Sequence, residues 1–248
     1  KKYEGNKNMT DLLFRDDAYL KSAEAKVLFI SDSGGIAFDK SVFYPNSGGQ
    51  AGDIGLISWS GGNSCQIENT VKTSDGHVML IPADTSELPS VNTICTQALN
   101  WEKRYRHMRL HTALHLLSVV IPLPVTGGQI TSEKGRLDFD MPDAPEDKQV
   151  IEHQLNNLIA GDYCVTTSWI SDDELLRNPS LVKTMSVRPP MGTGKVRLIK
   201  IGNDNEIVDL QPCGGTHVNQ TSEIGPIIIG KVEKKGRQNR RVSLTLKS

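Results

Sequence analysis

Between residues 25 and 99 the apolar positions come in short β-type runs, Val27-Leu28-Phe29-Ile30, Gly55-Leu56-Ile57-Ser58-Trp59 and Val78-Met79-Leu80-Ile81, and never at helical spacing. Turn signals at Ser33-Gly34-Gly35, Ser60-Gly61-Gly62 and Asp75-Gly76 separate them. This stretch is predicted to form a small β-barrel or sandwich, with residues 91–100 as its last strand. The period then changes. Leu110, Leu114, Leu117 and Ile121 recur at helical spacing over residues 101–121, and Pro122 ends the run. The junction near residue 100 is the expected domain boundary, giving a β-barrel-like domain over 9–100 and a second domain over 101–248.

The second stretch mixes both periods. Leu137, Phe139 and Met141 alternate with Asp138 and Asp140 as a strand, and Asp143-Ala144-Pro145-Glu146 resembles a capping box opening a helix through Ile151, Leu155 and Leu158 that Gly161 stops. Residues 163–170 and 196–201 read as strands, with Ser171-Asp172-Asp173-Glu174 capping a short helix between them. Residues 226–232 and 242–246 are expected to pair around a basic turn. The fold class that follows is α+β, with helices over an antiparallel sheet. There is no internal repeat or low-complexity tract.

With 248 residues, 37% of them hydrophobic, the chain can bury a core in each of two domains. No apolar run approaches the ~18 residues of a membrane span. Residues 1–8, basic and polar, lack the apolar centre of a secretory signal and read as an appended leader. A cytoplasmic monomer with no membrane partner is the expectation. The four cysteines lack CxxC spacing, so no disulfide framework is expected; Cys65, Cys95 and Cys164 read as small strand hydrophobes and Cys213 is left as a thiolate ligand.

Two segments carry candidate chemistry. His111-Thr112-Ala113-Leu114-His115 lies on the predicted helix, so the two histidines at i and i+4 share a face with Cβ atoms roughly 5–6 Å apart, close enough to converge on one ion. Cys213-Gly214-Gly215-Thr216-His217 brackets a glycine pair expected to let the backbone turn until thiolate and imidazole face the same point. Imidazole and thiolate donors favour zinc over magnesium or calcium, and one zinc per chain is predicted.

The formal net charge of −1 marks no nucleic-acid partner by itself, but its distribution does more. Lys231, Lys234, Lys235, Arg237, Arg240 and Arg241 crowd one segment against a single acid, Glu233, and Lys103, Arg104, Arg106 and Arg109 lie just before His111. Such runs suit a solvated hairpin turn; two of them near a metal site also suit a phosphate backbone.

The segments HTALHLL, GRLDFD and QPCGGTHV, followed by Thr221-Ser222-Glu223-Ile224-Gly225, closely resemble the editing domain of alanyl-tRNA synthetases. Upstream, Phe43-Tyr44-Pro45-Asn46-Ser47-Gly48-Gly49-Gln50-Ala51-Gly52-Asp53 resembles the glycine-rich motif of the small β domain preceding it. The chain is too short for a synthetase's ATP-binding domain and carries no Gly-rich phosphate loop. It is therefore similar to the AlaX family of free-standing editing proteins, in its medium-length class.

That resemblance implies hydrolysis of the ester joining a wrong amino acid, chiefly serine and sometimes glycine, to alanine tRNA. Mischarged alanine tRNA would be the partner, and DNA would not. The metal positions carry over onto His111, His115, Cys213 and His217, while the clustered basic residues Lys231, Lys234, Lys235, Arg237, Arg240, Arg241, Arg104 and Arg106 are the candidates for tRNA contacts. Where the synthetases carry a Gly-Ser-containing segment, this chain has Thr126-Gly127-Gly128-Gln129-Ile130-Thr131. Gln129 and Thr131 are candidates for lining the substrate pocket, as is Thr112, which also suits a core-facing position. Gly48-Gly49-Gln50 is expected to shape the tRNA-facing surface. Four protein ligands fit a structural zinc as well as a catalytic one. Two rival readings therefore stand, a non-catalytic zinc-stapled tRNA-binding module and a threonyl-type editing domain.

Overall fold

The computed structural model describes residues 9–145, 147–184, 194–203 and 205–247. The expected leader over 1–8 and the Glu146 of the expected capping box lie outside the described residues. The chain divides into two compact units, residues 1–47 with 51–104, and residues 48–50 with 105–248.

The first unit is a closed six-stranded barrel. Its strands are β1 (Ser22–Ile30), β2 (Ile36–Phe38), β3 (Gly55–Trp59), β4 (Asn63–Lys72), β5 (Val78–Pro82) and β6 (Ile94–Leu99), hydrogen-bonded in the order β1-β2-β5-β4-β3-β6 and closed by β6 on β1. Of the two predicted architectures the barrel is the one found. Alternating inward residues, among them Val27, Phe38, Ile57, Ile67, Leu80 and Cys95, fill it, none more than 2% exposed. The last strand starts at Ile94, later than expected, and leaves Val91, 50% exposed, ahead of it.

A buried ion pair braces this unit. Arg104 donates from Nε to both oxygens of Asp53 and also bonds it through Nη2. The remaining donors reach the carbonyls of Ala18 (2.9 Å) and Val42 (2.6 Å), and Asp53 also accepts from the amide of Tyr44 (2.6 Å). With Arg104 at 0% and Asp53 at 3% exposure, the pair is a closed structural network.

Helix α1 (Trp101–Val120) carries the chain into the second unit. Its apolar positions were expected on one stripe, but from Leu110 to Leu117 every residue is buried, Ala113 and Leu116 included. A helix segment buried on all sides belongs inside a domain, and here it takes His111, Thr112 and His115 in with the leucines.

A hairpin, β7 (Val125–Ile130) and β8 (Gly135–Asp140), follows, then α2 (Lys148–Ala160), β9 (Cys164–Ser171), α3 (Asp172–Arg177), β10 (Lys195–Gly202), β11 (Ile207–Pro212), β12 (Ile227–Ile229) and β13 (Asn239–Leu246). The strands form two sheets where one was expected: β12-β13-β8-β7, with the short Glu233–Lys234 strand also paired to β13, and β9-β10-β11. Asp147, not Asp143, caps α2 by accepting the amide of Gln149, while Ser171 and Glu174 form the capping box expected for α3. Asn156 and Glu152 of α2 hydrogen-bond the backbone of β12, which holds the helix along that sheet edge. Cys65 and Cys95 are buried strand residues; Cys164, expected to be one, is exposed.

Candidate metal centre

α1 and the turn after β11 bring His111, His115, Cys213 and His217 together. Their donor atoms all lie within 4.8 Å of one another. The Cys213 Sγ is 3.5 Å from His111 Nε2 and 3.3 Å from His217 Nε2. All three imidazoles are 5–7% exposed.

The outer nitrogen of each ring is held by a different group. His111 Nδ1 lies 2.9 Å from Gln50 Oε1, His115 Nδ1 lies 2.9 Å from Asp209 Oδ2, and His217 Nδ1 lies 3.1 Å from Thr112 Oγ1. Each partner must accept. Gln50 Oε1 already takes the amide N–H of Thr216 (3.2 Å) while its Nε2 donates to Thr216 Oγ1 (2.9 Å), which fixes the amide orientation. Thr112 donates its hydroxyl to the Met108 carbonyl (2.9 Å) and accepts from the Val218 amide (3.3 Å). Asp209 is a carboxylate. Every Nδ1 therefore carries the proton, and every Nε2 offers a lone pair to the centre.

The shifts of Cys213 and His217 favour the forms that bind a cation, a thiolate and a neutral imidazole. Burial would raise the Cys213 thiol, but His111 and His217 overcome it and hold the group well below the ordinary thiol value. Burial, then the neighbouring His111, pushes His217 well below the ordinary imidazole range. Burial would also lower His115, yet the Asp209 and Cys213 contacts win and raise it to about 9. Asp209, despite burial, is held at about 2 by His115 and Lys183.

Asp209 is 2% exposed and accepts from Lys183 Nζ (2.5 Å) and Gln211 Nε2 (2.8 Å) as well as from His115. The sequence reading missed all three of these residues. A signal for two existed: Asp209, Gln211 and Cys213 alternate, so a strand puts them on one face. Lys183 carried none.

The glycine pair acts differently from expectation. A Cβ on Gly215 would sit 2.1 Å from His111 Cε1, so this position needs glycine for close approach to the ring, whereas Gly214 faces open space. Arg197 donates to the carbonyls of Cys213 (3.1 Å) and Gly215 (2.8 Å) and braces the turn.

Gly48-Gly49-Gln50 is the largest relocation. Gln50 is 0% exposed, so it cannot shape a tRNA-facing surface; it joins His111 to the Cys213–His217 turn. Gly49 has φ +86°, and its carbonyl accepts the Ile130 amide (2.7 Å). That bond and the Gln50 bridge to Ile130 group the triplet with the second unit, although the sequence placed it in the first domain.

The pocket candidates each have a partner nearby. Gln129 is exposed and accepts from Arg136 Nε (3.1 Å), Thr131 is engaged in the turn with Lys134 (3.2 Å), and Thr112 holds His217. Among the basic candidates Arg104 is corrected outright, since its guanidinium is wholly buried against Asp53. Arg106 is tied to the Ser132 carbonyl (2.6 Å), Arg241 to Asp138 (2.7 and 2.9 Å), Lys235 to Glu233 (2.7 Å), and Arg240 to the carbonyl of Pro142. Lys231, Lys234 and Arg237 are exposed.

A soft four-donor cluster with oriented histidines in an α+β unit is a group that could hold a metal ion. Residues 196–243 match the family described as the threonyl and alanyl tRNA synthetase second additional domain. The chain is 31% identical to the alanyl-tRNA editing protein AlaX-M of Saccharolobus solfataricus over 96% of its length and 100% of the relative's, and 33% identical to that of Methanosarcina barkeri over 96% and 99%. It also matches the alanine--tRNA ligase of Pyrobaculum arsenaticum at 30% identity, covering 90% of the chain and 25% of the ligase. This chain belongs to the AlaX family of alanyl-tRNA editing proteins. No helix among the described residues is long and apolar enough to cross a membrane.

Proposed function

We propose that this protein is a trans-editing hydrolase that removes serine, and glycine secondarily, from mischarged alanine tRNA, with one zinc ion held by His111, His115, Cys213 and His217. The observation that carries this reading is the convergence of three Nε2 lone pairs and a thiolate in a member of an editing family. Zinc suits this donor set and, when bound, supplies Lewis acidity for the ester carbonyl.

The chain's own residues hold that centre in shape. Gln50 orients His111 and the Cys213–His217 turn together, Thr112 orients His217, and the Asp209 carboxylate orients His115, its charge partly balanced by Lys183. Since Gln129 and Thr131 are engaged locally, telling a seryl from an alanyl ester falls to groups at the four-donor cluster. Exposed Lys231, Lys234 and Arg237 are assigned to tRNA phosphate, in the cytoplasm where aminoacyl-tRNA is made. Alanine at these three positions should raise KM and flatten the salt dependence by roughly 0.7–0.9 log units for each phosphate left without its cation, with kcat little changed.

The purified protein is tested on seryl-, glycyl- and alanyl-tRNA of the alanine type and on seryl-tRNA of the threonine type. Turnover of the first two, with alanyl-tRNA spared, is expected. Four protein donors also describe a structural zinc. Binding of the tRNAs without turnover would support that reading, and preference for the threonine tRNA would support a threonyl-type domain.

A further inference from the structure

In the β9-β10-β11 sheet, Trp169 pairs with Arg197, and the Cys213 amide donates to the Arg197 carbonyl, so Trp169, Arg197 and Cys213 form one row across three strands. Cross-strand partners share a face. It is the face that presents Asp209 and Gln211 towards His115, because Ile199 pairs with Gln211 and Ile201 with Asp209. Over β10 the face is covered, with Ile199 and Ile201 at 0% exposure. Over the edge strand β9 it is open: Thr167 is exposed and Trp169 is 47% exposed. Lys195, two residues along β10 from Arg197 and so on the same face, is exposed as well.

We propose that Trp169 is the stacking platform for the adenine of the substrate's 3′-terminal nucleotide. The proposal rests on the deacylase reading only for the position of the ester. Two strand spacings put the Trp169 backbone about 10 Å from that of the metal ligand Cys213. The aminoacyl ester sits on the terminal ribose, and the base of the same nucleotide projects from the other side of that sugar. A nucleotide with its ester at the four-donor cluster therefore has its base within reach of an indole standing on this row. An aromatic face with a cation beside it is the combination that binds unpaired nucleotides, through stacking and phosphate attraction. Stacking on a terminal base holds the ester in place without contributing to the reaction, so Trp169 is a positioning residue.

The full-length, metal-loaded protein is titrated by calorimetry with two non-hydrolysable amides, 3′-deoxy-3′-serylaminoadenosine and the same amide on a ribose lacking the base. Wild type is expected to favour the adenosine compound by roughly 5- to 150-fold, the span of base–aromatic stacking. Trp169→Ala should erase the preference and Trp169→Phe should keep most of it, with metal content and melting temperature unchanged in both. A wild type without the preference, or a Trp169→Ala that retains it, overturns the proposal. Hydrolysis of seryl-tRNA by wild type reports separately on the functional reading. A Trp169-dependent preference without turnover leaves the stack standing and sinks the deacylase. Normal turnover with an unchanged KM in Trp169→Ala does the reverse.

Discussion

The Arg104–Asp53 pair of the barrel unit and the four-donor cluster of the second unit are both buried polar networks, and they differ in where their hydrogen bonds point. Around Arg104 every bond closes on a neighbour: a carboxylate and two carbonyls receive the guanidinium, and the charges cancel. Around the cluster the bonds run outward from Nδ1 to Gln50, Asp209 and Thr112, leaving only lone pairs and a thiolate facing inward. A closed network has its stabilisation complete within the protein. An outward-pinned one turns its donors towards a common centre, an arrangement suited to a cation there.

The sharpest way to break this contrast is to remove one inward donor. Cys213→Ala should lose stoichiometric metal, measured by elemental analysis, and deacylation with it; a variant that keeps both would show that the thiolate is not a ligand.

Next in size is the barrel pair. Arg104→Met leaves Asp53 buried without its partner and should cost about 3–5 kcal/mol in denaturant unfolding, with metal content per folded chain unchanged. A cost below ~1 kcal/mol, the level of an exposed pair, would mean that the closed network carries little.

A smaller effect belongs to the outer pins. Gln50→Ala removes the acceptor for His111 and should weaken metal binding by about 10–100-fold without abolishing it. Competition with a chelator measures this, and unaltered affinity would reduce Gln50 to a packing residue.

The smallest concerns a third, partly buried network on β8 and β13, where Arg241 hydrogen-bonds hold the Asp138 carboxyl below the ordinary carboxylate value. Because the folded value is the lower one, this contribution is present above the unfolded carboxylate pKa near 3.9 and is lost as pH falls through the folded value. Asp138→Asn should therefore differ from wild type at neutral pH by under about 1 kcal/mol and converge with it in acid. A difference that grows in acid would contradict the pairing.

Much of this was legible in the residues because it depends on short spacings. Helical periodicity put His111 and His115 on one face, the CxxxH spacing supplied the other two donors, and turn signals between β-type runs announced the barrel. Other features depend on contacts between residues far apart in sequence, and no local period records those. Arg104 read as a surface cation because Asp53 lies 51 residues before it. Gln50 read as a surface residue because the strand bridge that carries it to His111 is made to Ile130, across 80 residues. Lys183 precedes its partner Asp209 by 26 residues in no recognisable pattern. The sequence by itself determined which atoms can bind a metal, since that is a property of residue type and spacing. Only the tertiary structure decided which nitrogen of each histidine faces inward, because a proton's position is set by the acceptor that folding brings to it.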